Sequence, residues 1–175
     1  EAYCNLGVMV NARGNRAEAI GLFQQALRVR PRHLEALNNL GYAFFHDGQF
    51  KEAISYFRRV LEINPKQFDA CLSLAEALIH DGRLNEAVVY CQQVIGHQSG
   101  NPLAYNLLGI ALSRQAKLQE AVHYYTQALA RQPDTADFHN NLGLALQHQG
   151  RMDEALAHYR RALDIKPDYS QAHSN

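Results

Sequence analysis

Tryptophan is missing altogether, and the 175 residues include only 3 cysteines and 5 prolines. No charge of one sign dominates: Lys+Arg and Asp+Glu are both 17, so the formal net charge is zero. A nucleic-acid partner or an anionic membrane surface calls for a basic excess, and neither is expected. No apolar run approaches the ~20 residues of a membrane span. The start shows no signal-peptide pattern. Cys4, Cys71 and Cys91 are an odd count without close spacing. They point to free thiols in a reducing compartment, hence a cytoplasmic location. A glycine-rich phosphate loop, Cys-x-x-Cys, His-Glu-x-x-His and Gly-x-Ser-x-Gly are also missing. No catalytic residue, cofactor or metal is therefore expected.

What the chain does have is a period. Leu-Gly falls at 6–7, 40–41, 108–109 and 142–143, with Leu74-Ala75 filling the gap, so the interval is 34 throughout. Glu-Ala keeps the same step at Glu18, Glu52, Glu86, Glu120 and Glu154. A bulky slot holds Phe23, Phe57, Cys91, Tyr125 and Tyr159, and Pro31, Pro65, Pro133 and Pro167 recur likewise. Gly14, Gly48, Gly82 and Gly150 punctuate the middle of each unit, with Ala116 as the exception.

Each slot has a physical reading. Leu37, Leu40, Gly41 and Phe44 follow the i, i+3, i+4, i+7 stripe of a helix. Gly48 suits the left-handed position that ends it. Phe50, Ala53, Ile54, Phe57, Val60 and Leu61 form a second stripe, which Glu52 favours at its start and Pro65 stops. Gly41 and Ala53 are small enough for the two helices to approach closely. Neither helix buries its stripe alone, so the helix–turn–helix units must stack. The expected bounds are approximately 1–33, 34–67, 68–101, 102–135 and 136–169, with the start of a sixth unit at 170–175, all in one array. The chain begins and ends within the pattern, as a piece of a longer protein would.

This pattern resembles the tetratricopeptide repeat (TPR), and the resemblance covers the whole chain. It implies an all-α, right-handed superhelix of stacked antiparallel helix pairs, with the first helix of each pair lining a concave groove. Family members that clamp acidic chaperone tails carry Lys and Arg on that groove face. Here Asn38, Asn39, Tyr42, Ser73, Glu76 and Asn106 take those slots, so such a clamp is not expected. The Asn-bearing repeats, "EAYCNLG" and "QAHSN" among them, are also similar to the superhelix that precedes the catalytic domain of O-linked N-acetylglucosamine transferases. Under that resemblance the chain would be a substrate-docking region whose catalytic domain lies elsewhere.

The groove face follows from helical geometry. The slot before Leu-Gly holds Asn5, Asn39, Ser73, Leu107, Asn141 and Asn175, with Asn106 one residue before Leu107. Asn38 and Asn140 adjoin the same slot. A carboxamide offers a donor and an acceptor in one plane, as a peptide backbone does. The expected function is capture of an extended peptide or partner segment, gripped by this ladder. Tyr42, Phe45 and Ile110 would anchor it, and His46 and Glu76 would tune charge. Asparagine also suits bridging between neighbouring helices, which is the competing reading. His46, His80 and His148 lie one repeat apart, too far to share a metal. No polar capping helix follows Asp164–Tyr169, which leaves end-to-end self-association as a further expectation.

Overall fold

A computed structural model describes residues 1–169. Those residues hold ten α-helices and no strand. Two helices fall inside each of the five predicted repeats. The chain divides into two compact units at Gly82–Arg83, inside the third predicted repeat rather than at one of its ends.

The first unit contains α1 (Ala2–Ala12), α2 (Arg16–Val29), α3 (Leu34–His46), α4 (Phe50–Ile63) and α5 (Phe68–His80). Each packs on the next, and α3 also touches α1 and α5, so these three form one row. The second unit contains α6 (Leu84–His97), α7 (Pro102–Arg114), α8 (Leu118–Arg131), α9 (Ala136–His148) and α10 (Met152–Ile165). Successive helices again pack together, and α7 touches α9.

The recurrent glycine is explained by the ring opposite. A Cβ at Gly41 would lie 2.5 Å from Phe57 Cε1 on α4, where no real Cβ fits. Gly7 meets Phe23, Gly109 meets Tyr125 and Gly143 meets Tyr159 in the same way, at 2.6, 2.6 and 2.7 Å. The small residue therefore lets an aromatic side chain from the second helix lie against the backbone of the first. Phe23 and Phe57 are almost wholly buried as a result.

Helix starts and stops follow local chemistry. Glu18, Glu52, Glu86, Glu120 and Glu154 stand in the first turns of α2, α4, α6, α8 and α10, where the helix dipole favours an acid. Asn101 caps α7 by accepting from the Ala104 N–H at 3.1 Å, and Pro102 opens that helix. The turn within each pair needs one left-handed residue. Gly48 adopts φ +73, and Ala116 is driven into the same region at φ 61. A side chain there costs ~1–2 kcal/mol, of which glycine's greater unfolded freedom returns ~0.4–1 kcal/mol. Ala116→Gly is accordingly expected to stabilise the second unit by ~0.5–1 kcal/mol. Urea unfolding measures this, and an unchanged or lower midpoint would refute strain at Ala116.

Candidate aromatic and acidic cavity

Tyr42 and His46 lie one turn apart on α3, with Phe45 beside them. Ser73 and Glu76 stand on the facing stretch of α5. Together with Phe57 of α4 these side chains line a cavity of about 140 Å³. Five of the six are residues that helical periodicity places on the groove face. Phe57 belongs to the packing stripe of α4, and its ring also forms a wall here.

The wall is held by edge-to-face contact: the Tyr42 and Phe57 ring centroids are 5.2 Å apart at 72°. Tyr42 nevertheless remains 41% exposed. Its hydroxyl is fixed across the repeat boundary. Ser73 has one hydroxyl proton and donates it to the Asp69 carbonyl at 3.0 Å. The 2.8 Å contact between Tyr42 Oη and Ser73 Oγ is therefore donated by Tyr42. Phe45 is less free than an anchor would be. Its ring packs edge-on against Phe50 and His80 at 5.5 and 5.4 Å, and His80 stacks on Phe50 at 4.8 Å. Glu76 is half-buried in the cavity. Burial pushes its carboxyl above the usual range, and His80 and His46 offset this only partly.

The amides behave differently from a free ladder. Asn106 and Asn140 are buried, with 5% and 4% exposure. Asn141 Nδ2 on α9 donates to Asn106 Oδ1 on α7 at 3.1 Å. In the first unit Asn39 Nδ2 on α3 points to Cys4 Sγ on α1 at 3.9 Å, a long and weak bond. Of the two roles open to these amides, gripping a visiting backbone and bridging neighbouring helices, the Asn106–Asn141 bond is of the bridging kind. Asn106 and Asn140 are closed from solvent, whereas Asn39 and Asn141 stay half-buried. Both bridges span 35 residues, one repeat plus one. A search for polar residues 35 apart would have found this signal. Asn5 is exposed on α1, Asn38 is half-buried on α3 and Ile110 is half-buried on α7. Asn175 and the predicted sixth unit lie outside the described residues.

One group among the described residues offers metal-ligand atoms together: Cys4, His33 and Glu35, with atoms within 4.8 Å of one another. Sequence spacing did not reveal it. Its chemistry is already committed. The His33 Nδ1 lone pair caps α3 by accepting from the Ala36 N–H at 3.2 Å. Burial, then the Glu35 charge, pushes the Cys4 thiol above its ordinary range, so the thiol is held protonated. A metal would have to displace both the cap and the proton.

The class of protein defined by this fold is a helical-repeat protein. A family model described as Tetratricopeptide repeat matches residues 12–68 and 106–170, and a second of the same description matches 44–111. The chain belongs to the tetratricopeptide-repeat family. No relative is found among curated protein sequences. Among solved structures, MamA from Desulfovibrio magneticus RS-1 is similar at 21% identity and a TM-score of 0.85, over 97% of this chain and 96% of that one. A thermophilic TPR protein from Thermus thermophilus, TTC0263, is 24% identical, with a TM-score of 0.80 over 99% and 94% of the two chains. YrrB, described as a TPR protein with an unusual peptide-binding site, is 22% identical, with a TM-score of 0.75 over 98% and 89%. These likenesses establish the fold. Among the described residues no helix is long and apolar enough to cross a membrane.

Proposed function

We propose that the chain is a protein-interaction scaffold that captures an extended polypeptide segment along α3 and α5, with the Tyr42–Glu76 cavity as its anchor point. The observation that carries this is the cavity itself. An aromatic side chain stays 41% exposed in a concavity shared by two consecutive repeats, and a half-buried carboxylate stands beside it. Exposed, held aromatics of this kind favour binding hot spots. The volume of about 140 Å³ is below the several hundred Å³ typical of small-molecule sites. It suits one side chain of a longer ligand. That the fold neighbour YrrB is described as having a peptide-binding site supports the reading. No observation favours the narrower reading as the docking region of a glycosyltransferase.

Selection of a displayed random-peptide library on the purified chain tests the proposal. Peptides should be enriched, and Tyr42→Ala should weaken them at least tenfold, about 1.4 kcal/mol. Asn141→Ala should leave their affinity unchanged while lowering stability, because its amide bridges α7 and α9. Enriched peptides that bind wild type and Tyr42→Ala equally would overturn the assignment of the cavity.

A further inference from the structure

The donors and acceptors of the cavity are unevenly divided. The Tyr42 proton is directed to Ser73, and the Ser73 proton to the Asp69 carbonyl. Both hydroxyls thus turn lone pairs, and no proton, toward an incoming group. Glu76 adds two carboxylate oxygens, acceptors only when ionised. Phe57 and Tyr42 supply aromatic, apolar walls. No Lys or Arg lines the cavity. His46 stands on the rim as its one nitrogen-bearing side chain.

An acceptor-rich, aromatic-walled, acid-bearing cavity complements a group that is all donor and positively charged. Lysine has three donors and no acceptor, and arginine has five and none. Their long stems pack on apolar surface while the charged end reaches a polar group. We infer that the cavity receives a lysine or arginine side chain of the captured segment, its stem along Tyr42 and Phe57 and its cation on the Glu76 carboxylate. This inference rests on the peptide-capture reading and narrows it to a basic partner sequence. Charge complementarity decides against the other occupants. An acidic side chain would meet the Glu76 charge. An apolar one would leave the half-buried carboxylate further desolvated without a partner. The raised carboxyl pKa of Glu76 is consistent, since it marks a charge whose burial is not yet fully compensated.

The test uses four synthetic peptides, acetyl-Ala-Ser-Ala-X-Ala-Ser-Ala-amide, with X lysine, arginine, norleucine or glutamate. Binding to the whole chain is followed by amide chemical shifts around Tyr42 and Glu76. The lysine and arginine peptides should saturate those shifts at concentrations at least tenfold lower than the norleucine and glutamate peptides. Glu76→Gln should abolish the preference for lysine over norleucine while the norleucine peptide binds as before. Tyr42→Ala should weaken all that bind. Norleucine binding as well as lysine, or a lysine preference that survives Glu76→Gln, would overturn the cationic occupant and leave peptide capture standing. No peptide shifting the cavity residues would overturn both readings. Unchanged amide spectra of the free variants outside the cavity show that neither substitution has unfolded the chain.

Discussion

Gly41→Ala is expected to destabilise the first unit by about 1–3 kcal/mol, the usual range for overpacking. The sign is the informative part. Helix propensity alone favours alanine over an interior glycine by ~0.8–1.0 kcal/mol, so a purely local view predicts stabilisation. The tertiary view predicts the reverse, because the new methyl would lie 2.5 Å from Phe57 Cε1. Phe57 is buried and cannot swing into solvent. Its displacement also disturbs Tyr42, whose ring stands edge-on to it at 5.2 Å. Peptide capture should therefore weaken along with stability. In the background Phe57→Leu, which removes the obstructing ring edge, Gly41→Ala should lose most of its penalty. A double-mutant cycle by urea unfolding should thus show coupling of about 1 kcal/mol or more. A stabilising Gly41→Ala in the wild-type background would refute the steric account.

Acid should weaken the pairing of α9 with α10. His139 and His158 face each other across these helices, their Nδ1 atoms 2.9 Å apart and their rings stacked at 5.2 Å. His139 Nε2 lies 2.9 Å from the Pro133 carbonyl, so it carries the proton and donates. His139 Nδ1 must then accept, and His158 Nδ1 donates to it. Burial is the first cause holding both imidazoles below their ordinary pKa. Arg161 adds to the depression at His139, and His139 adds to it at His158; Asp134 and Glu154 act in the opposite direction. In the pH range between the unfolded value near 6.5 and the depressed folded values, the unfolded chain binds more protons. Stability is therefore complete above about pH 6.5 and falls as pH drops through the folded values. The first proton can settle on His158 Nε2 without breaking the pair. The second must occupy His139 Nδ1, which removes a hydrogen bond worth ~0.5–1.5 kcal/mol and sets two cations in contact. Thermal melts at pH 7.5 and 5.5 should show the loss. The double variant His139→Tyr/His158→Tyr restores the pair found one repeat earlier, Tyr105 with Tyr124. It should lose less stability over the same interval, and an equal loss would refute the histidine origin.

Most of the fold was legible because its determinants are one-dimensional. Gly41 and Phe57 keep fixed places in each unit, and so do Gly109 and Tyr125. A period that several slots obey together leaves little alternative to paired helices. The cavity was legible for a related reason: Tyr42, Phe45, His46, Ser73 and Glu76 share a face by helical arithmetic. The amides were not. A rotation of 100° per residue says where Asn106 and Asn141 leave their helices. It says nothing of how deeply the neighbouring helix covers them, and that depth decides between a free rung and a bridge. The ring contacts of Phe45 were hidden in the same way, since its neighbours Phe50 and His80 come from two other helices. The Cys4–His33–Glu35 group was missed because its members come from different helices and follow no metal-binding spacing.

The cavity has one consequence for how this array would evolve. Tyr42 belongs to one repeat and Ser73 and Glu76 to the next. A module copied singly into another array would carry only half of the docking feature. Specificity is written at the seam, as a word of two letters, and shuffling intact modules would erase it while every module still folded.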